Sequence, residues 1–455
     1  MMPPYLKGFL WGALILPSAT VNALSPDDFQ LSGFGTIGMV LSDSDNYGYR
    51  SDISFNEAVF ADDIDFLSTS NLGLQLDAFL SRRSQFTFQA ILRDQSNTSF
   101  DRYISQAFYK HSFSPSFDVR LGRVPFDLFA LTEYRNVNFA YPWAVTPNEV
   151  YGLFPHRHLD GIDLSYTFRP GTANLLTKFF VGESEGDING FTTIEEVKLT
   201  DVVGASVTWS EINWSMKVNV SQAKFDGSTA GAQRLIDGMV ELAAVSNTLV
   251  QLLPQPPFPA VLWEGAEQTA AELDMDGEKV SYMSLSGHYD WNAWRLMAEV
   301  SRIDSDTKVV GEVVGSYLSL SHSSGRSTVY GLIANTDPDE ASFDDSQVSP
   351  LLSDPNSPLL NPAIVGALVA GAFNTIQPLY NEFLDGYGNA VTYFRSNQTS
   401  YAIGWRYDLK ENIALNMQLN HTVIDDNGGT LWLADLDTDK GESVNTLFIN
   451  VSFTF

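Results

Sequence analysis

The chain of 455 residues carries 55 acidic and 26 basic side chains, a formal net charge of −29, with 18% charged residues, 13% aromatic residues and no cysteine. So acidic a surface repels nucleic acid, a disulfide framework is excluded, and no ordinary segment reaches the about 20 apolar residues that a membrane helix needs. A soluble chain of this length divides into two or three domains, whereas one closed β-sheet can absorb many strands in a single domain.

In chain order, Met1 to Lys7 holds one positive charge, Gly8 to Leu16 is a short apolar run, and Val21-Asn22-Ala23 fits a small-x-small cleavage pattern. Residues 1–23 therefore read as an export signal cut after Ala23, with Ala19 as an alternative. From there residues alternate with period 2. Leu72, Leu74 and Leu76 alternate with Gly73, Gln75 and Asp77. Trp214, Met216, Val218 and Val220 alternate with Ser215, Lys217, Asn219 and Ser221. Leu447, Ile449, Val451, Phe453 and Phe455 oppose Phe448, Asn450, Ser452 and Thr454. Such runs put an apolar and a polar face on a strand. They predict strands near 29–40, 70–80, 84–94, 104–112, 117–126, 159–168, 173–183, 199–209, 212–225, 279–290, 292–304, 313–322, 327–336, 398–409, 412–424 and 445–455.

The links alternate in length. Tight links such as 81–83, 114–116 and 410–411 take turns with long ones at 41–69, 95–103, 127–158, 184–198, 226–278, 305–312, 337–397 and 425–444. An even number of strands, short turns at one end and long loops at the other describe an all-β, 16-stranded antiparallel transmembrane β-barrel. Residues 24–455 then form one domain with periplasmic turns, extracellular loops and an outer-membrane location. The sheet must close, because hydrocarbon tolerates no unpaired strand edge. Trp209, Trp214, Tyr289, Trp294, Tyr407 and Phe168 flank the turns where an aromatic girdle belongs. A lipopolysaccharide neighbour would suit this acidic surface only through bridging divalent cations.

The loop 127–158 is rich in Tyr, Phe and Trp. Together with Leu121-Gly122-Arg123-Val124-Pro125-Phe126 before it and Arg157 and Gly161 after it, it resembles the Gram-negative general porins and their phosphate- and dicarboxylate-selective relatives. The resemblance implies a water-filled channel for passive diffusion of small polar or charged solutes, a homotrimer, and a third loop folded inward to narrow the lumen. Carried over, Glu133, Arg135, Glu149 and Arg157 become constriction residues. The chain departs from the phosphate-selective type in having no dense row of inner arginines, and it has no coiled-coil segment ahead of the first strand. Inward-facing charges on the expected strands are Arg93, Lys110, Arg120, Lys178, Lys217, Arg295 and Arg406 against Asp77, Asp118, Asp163, Glu299 and Asp408, an excess that implies mild anion preference. Arg93, Lys110 and Arg120 are expected to form a basic wall facing the acids of the third loop.

Two long loops carry helical spacing. Apolar residues recur through Ala230 to Leu253 ahead of Pro254, and Asn361 to Tyr380 holds AIVGALVAGAF, too short to span a bilayer. They read as a plug, a lid or a rim cap. Asp435, Asp437 and Asp439 have oxygen ligands at alternate positions and are candidates for a structural Ca²⁺, and Asp274, Asp276 and Glu278 form a second acidic run. No other cofactor is expected. Two other functions compete: a barrel hydrolase built on a Ser–His pair, and a hydrophobic-solute transporter or adhesin working through its loops. The six histidines sit in no G-x-S-x-G context, and only His156-x-His158 has ligand-like spacing, so no catalytic residue is assigned.

Overall fold

The computed structural model describes residues 25–189, 194–250, 266–338, 395–434 and 440–455, with parts of 360–386. The expected signal (1–23) and the carboxylates Asp435, Asp437 and Asp439 lie outside the described residues. The architecture is a closed 16-stranded antiparallel barrel. Its strands are β1 (Phe29–Ser42), β2 (Asn71–Ser81), β3 (Ser84–Arg93), β4 (Ile104–Ser114), β5 (Phe117–Pro125), β6 (His158–Phe168), β7 (Asn174–Asn189) and β8 (Ile194–Ser210). The second half comprises β9 (Trp214–Phe225), β10 (Lys279–Trp291), β11 (Trp294–Ser305), β12 (Glu312–Ser324), β13 (Ser327–Pro338), β14 (Ser396–Lys410), β15 (Ile413–Gly429) and β16 (Glu442–Thr454). Consecutive strands pair in order, and β1 closes the sheet. Its first part pairs with β2 from Phe29↔Ala78 to Thr36↔Asn71, and its second with β16 from Phe34↔Thr454 to Ser42↔Thr446. Gly33 and Phe455 exchange both backbone hydrogen bonds at 2.9 Å, so the seam is paired to the last residue.

The two faces separate as the alternation requires. Leu72, Leu74, Leu76, Met216, Val218, Val220, Met283, Leu285, Val300, Leu318, Leu320 and Ile403 stand exposed on the outside, and Ser284, Ser286, Ser319, Asn416, Gln418, Asn450 and Ser452 are buried inside. A greasy exterior on a sheet without edges is the arrangement hydrocarbon demands. Tyr289, Trp291 and Trp294 stack beside the β10–β11 turn, where Asn292 takes a left-handed φ of 52°. Such a residue suits the twist of a two-residue hairpin. Aromatic rings lie over glycines on neighbouring strands: Phe34 over Gly73, Phe180 over Gly204, Tyr330 over Gly404, Phe453 over Gly35 and Phe455 over Gly33. Each glycine admits the ring because it has no Cβ to obstruct it.

The structure departs from the expected boundaries outside the membrane band. The segment expected as the loop 184–198 is instead a hairpin extension, paired from Leu199↔Ser184 up to Ile194↔Asn189. There the polarity inverts. Ile188, Val197 and Leu199 point inward and are buried, while Glu183, Glu185, Glu196 and Lys198 are turned outward. A rule that seeks apolar residues on the outside reads such a segment as loop.

Above β9 and β10, α1 (Ala230–Val250) packs against α2 (Ala266–Leu273), burying Met239, Ala270 and Leu273. Of the second helical loop, the described part includes one turn, Pro362–Val365, and Gly386, which lies against Leu235 of α1.

Candidate functional site

Residues 126–157, between β5 and β6, are the third external loop, L3. They fold against the inner wall, and the reason is written in their side chains. Leu128, Phe129, Leu131, Tyr141, Trp143, Tyr151 and Phe154 are apolar or aromatic and all are buried, packed with the inward residues Phe180, Tyr282, Tyr317, Tyr330 and Phe448. Phe129 meets Tyr282 edge-on at 5.5 Å, and Trp143 meets Tyr317 at 5.3 Å. Burial of this kind contributes on the order of 25 cal/mol per Å² of apolar surface removed from water.

Polar contacts fix the register of the loop on the wall, and each strand from β7 to β16 supplies at least one. Lys178 of β7 donates to Glu133 at 2.6 Å. Ser206 of β8 and Lys217 of β9 donate to Asp127 at 2.5 and 2.7 Å. Ser284 of β10 donates to the Leu128 carbonyl at 2.9 Å. Glu299 of β11 accepts from the Ala130 amide at 2.9 Å and from the Tyr151 hydroxyl at 2.5 Å. The Trp143 indole donates to Ser319 of β12 at 2.8 Å. The Ala144 amide donates to Tyr330 of β13 at 3.1 Å and to Gln418 of β15 at 3.0 Å, while the Ala144 carbonyl accepts from Asn450 of β16 at 2.7 Å. From β14, Arg406 donates to the Phe139 and Tyr141 carbonyls at 2.7 and 2.9 Å.

L3 is thus a tape running round ten strands. To β1–β4, among the described residues, it makes a single hydrogen bond, from Asn71 to the Asn136 carbonyl at 3.4 Å. That wall carries a chain of amides instead: Gln106 donates to Gln89 at 3.4 Å, Gln89 to Gln75 at 2.8 Å, and Gln75 to Asp77 at 2.8 Å.

The expected constriction residues divide into two groups. Glu133 and Glu149 are anchors. Glu133 holds Arg120 at 3.1 Å as well as Lys178, and buried Glu149 accepts from Gln398 at 2.7 Å and from Ser400. Burial pushes the Glu133 carboxyl up, but Lys178 and Arg120 outweigh it and hold the group at about 2. Asp127 is held at about 2 in the same way, against its burial, by Lys178 and Lys217.

Arg135 and Arg157 instead reach the opposite side of the loop. Arg135 stacks over the rings of Phe129 and Tyr151 at 5.4 and 5.6 Å and donates to the Tyr151 carbonyl. Arg157 donates to Asn136 at 3.2 Å and pairs with Asp52 of the first loop.

The expected basic wall is not one unit. Lys110 and Arg120 are cross-strand neighbours, and Lys110 pairs with Asp118 at 3.1 Å while Arg120 bonds Asp163 at 3.0 Å. Arg93 lies far up β3 from Gln85, the partner of Lys110, by about 26 Å at roughly 3.3 Å per residue. Arg120 does face an acid of the loop, in direct contact rather than across water.

Arg93 joins Arg135 and Arg157 instead. The three line a cavity of about 100 Å³ with Tyr49, Asn71, Asn136 and Asn148, and Asp94 is its sole carboxylate. An adjoining cavity of about 50 Å³ shares Arg93, Asn136 and Arg157 and adds Arg102. Burial and the neighbouring Arg157 push the Arg135 guanidinium down to about 9, leaving it charged near neutrality. Sequence reasoning missed Asp52, which stands in an irregular loop with no periodicity to mark it. It also missed Trp143 as an anchor, because an aromatic in a loop carries no sign of what it will pack against.

Other candidates resolve into ordinary contacts. Asp274 accepts from Ser228 at 2.7 Å, and Asp276 from the Gly227 amide at 2.8 Å, as turn-forming carboxylates do. Among the described residues, no group of three His, Asp or Glu side chains has the spacing of a metal site. Ser215 lies 2.9 Å from His288 Nδ1, but the nearby Asp290 is 3.9 Å from Nε2 and is clasped by Arg295 at 2.6 Å.

No protein-family model matches the sequence, and no curated protein does. Solved structures do. The outer-membrane channel DcaP of Acinetobacter baumannii overlays with a TM-score of 0.53 at 10% identity, covering 95% of this chain and 99% of that one. An anion-selective porin from Comamonas acidovorans gives 0.47 at 13% identity (94% and 100%), and Salmonella typhi OmpF in complex with daunomycin gives 0.49 at 7% (95% and 100%). The overlay with DcaP shows a shared fold, that of the bacterial outer-membrane porins. The fold and the greasy exterior place the barrel in a Gram-negative outer membrane.

Proposed function

We propose that this porin-fold barrel is a passive, non-enzymatic channel for small polar and charged solutes, with a preference for anions. The observation that carries the preference is the cavity where Arg93, Arg135 and Arg157 meet with Asp94 as the one lining carboxylate. L3 consumes its own acids as anchors, so Glu133 and Glu149 contribute no free negative charge to the aqueous path. Three guanidinium groups remain on the side of the loop facing the first external loop. Rings and clusters of fixed charge set ion preference in a pore, and arginine binds oxyanions through a rigid fork of donors. The amide-lined wall of β2–β4 suits neutral hydrogen-bonding solutes as well, which is consistent with a general rather than a specific channel. The assembly that goes with this reading is a homotrimer, with lipopolysaccharide bridged by divalent cations around it.

Planar-bilayer recordings in a KCl gradient test the preference. The native channel is expected to pass chloride over potassium, and the Arg93→Gln, Arg135→Gln, Arg157→Gln triple variant is expected to become cation-preferring, since removing three charges leaves the acidic outer mouth dominant. A triple variant with the native reversal potential would show that these arginines do not face the ion path.

A further inference from the structure

Behind the arginine cavity, and not on its lining, stands a carboxylate from outside L3. Asp52, in the first external loop, is fully buried and pairs with Arg157. It also accepts from the Ser54 amide at 2.9 Å and from the Ser54 hydroxyl. The segment carrying it is docked on L3: Asn148 donates to the Arg50 carbonyl at 2.9 Å, and the Ile53 amide donates to the Gly152 carbonyl at 3.2 Å. Burial pushes the Asp52 carboxyl up, but Arg157 and Arg93 outweigh it and keep the group ionised well below the usual carboxylate range. Of the three guanidinium groups, Arg157 is the one in contact with this carboxylate, and the acids on the second cavity, Asp187 and Glu185, are taken by Arg102 at 3.1 and 3.6 Å.

Resting on the anion preference proposed above, we propose that Asp52 is a tethered counter-ion that competes with passing oxyanions for Arg157, and so sets how tightly the channel holds them. The chemistry follows from the groups present. A planar carboxylate and a phosphate use the same paired N–H donors of a guanidinium. Asp52 occupies one arm of the Arg157 fork, Nη2, while Nη1 donates to Asn136, and an incoming oxyanion must share or displace it. Conduction needs a site attractive enough to enter and weak enough to leave. Three partly buried arginines balanced by Asp94 alone would hold a multivalent anion too long. Asp52 lowers that affinity without removing the charge that draws anions in.

The test uses the native channel in planar bilayers, with chloride current measured as inorganic phosphate is added. Asp52→Asn keeps the side-chain shape and can still accept from Ser54, but it frees Arg157. The phosphate concentration that halves the current is expected to fall roughly tenfold, as expected for losing one competing charge contact in a partly desolvated site, and chloride preference is expected to rise. Adding Arg157→Gln to Asp52→Asn should abolish the gain. Ser54→Ala removes a bond to Asp52 but keeps its charge, and should leave phosphate block within about twofold of native, the scale of one hydrogen bond. An Asp52→Asn channel with unchanged or weaker block overturns the proposal, as does a Ser54→Ala channel that reproduces the Asn phenotype, which would make the effect one of loop structure. If the triple-glutamine channel keeps native selectivity, the anion preference itself fails and this proposal falls with it; failure confined to the Asp52 variants overturns the proposal alone.

Discussion

Replacing Trp143 by Ala is expected to raise the single-channel conductance severalfold, or to make the open level noisy, while leaving the barrel folded. Trp143 is completely buried, with its ring edge-on to Tyr317 and its indole N–H on Ser319. Truncating a buried aromatic of this size costs about 3–5 kcal/mol. Here that loss falls on the attachment of L3 to β12 rather than on the hydrogen-bonded strands. With the anchor gone, the neighbouring bonds from Ala144 to Tyr330, Gln418 and Asn450 lose the packing that aligns them. The loop then leaves the far wall part of the time, and the lumen widens. Conductance histograms check this, with far-ultraviolet dichroism to verify that the strands persist. Native conductance and noise in the Ala variant would mean that L3 does not limit the current.

The second large effect concerns the outer face. Leu285 lies midway along β10, between Val218 of β9 and Val300 of β11, with all three exposed to the outside. An arginine there would meet hydrocarbon, and Leu285→Arg is expected to cost about 2–4 kcal/mol of folding free energy in lipid vesicles. Gln106→Arg, on the inward amide wall of β4, should cost much less, because a charge in the lumen stays hydrated. Urea titrations of folding into vesicles measure both. Equal costs for the two positions would contradict the assignment of the faces.

The strands were legible because hydrocarbon enforces a simple rule on each of them. All sixteen expected runs correspond to strands, since Leu72, Leu74 and Leu76 or Met216, Val218 and Val220 cannot turn inward without exposing amides and charges to lipid. Legibility ended where the lipid ends. Above the band, β7 and β8 continue with Ile188, Val197 and Leu199 pointing inward into a core shared with Ile53 and Phe154. Nothing local announces that inversion.

The inward-folded loop was recognisable by its aromatic content, but the roles of its charges were not. Glu133 and Glu149 share residue type and loop with free constriction acids, yet become anchors because Lys178, Gln398 and Ser400 are presented to them by distant strands and Arg120 by the strand that leads into the loop. Arg93, Lys110 and Arg120 all face inward, but facing the same lumen says nothing of height along it, and Arg93 belongs with Arg135 and Arg157 instead. Asp52 was invisible because its partner is more than a hundred residues away in an unrelated segment.

The most direct test of the account is whether L3 crosses the lumen to the last strand. The chain has no cysteine, so Ala144→Cys and Asn450→Cys introduce a unique pair at the point where the Asn450 amide reaches the Ala144 carbonyl. A short bifunctional thiol reagent applied to the protein folded in lipid is predicted to join them in high yield, to trap the loop, and to leave conductance near the native value. Two thiols that react singly and never with each other, in a channel that conducts normally, would contradict the account.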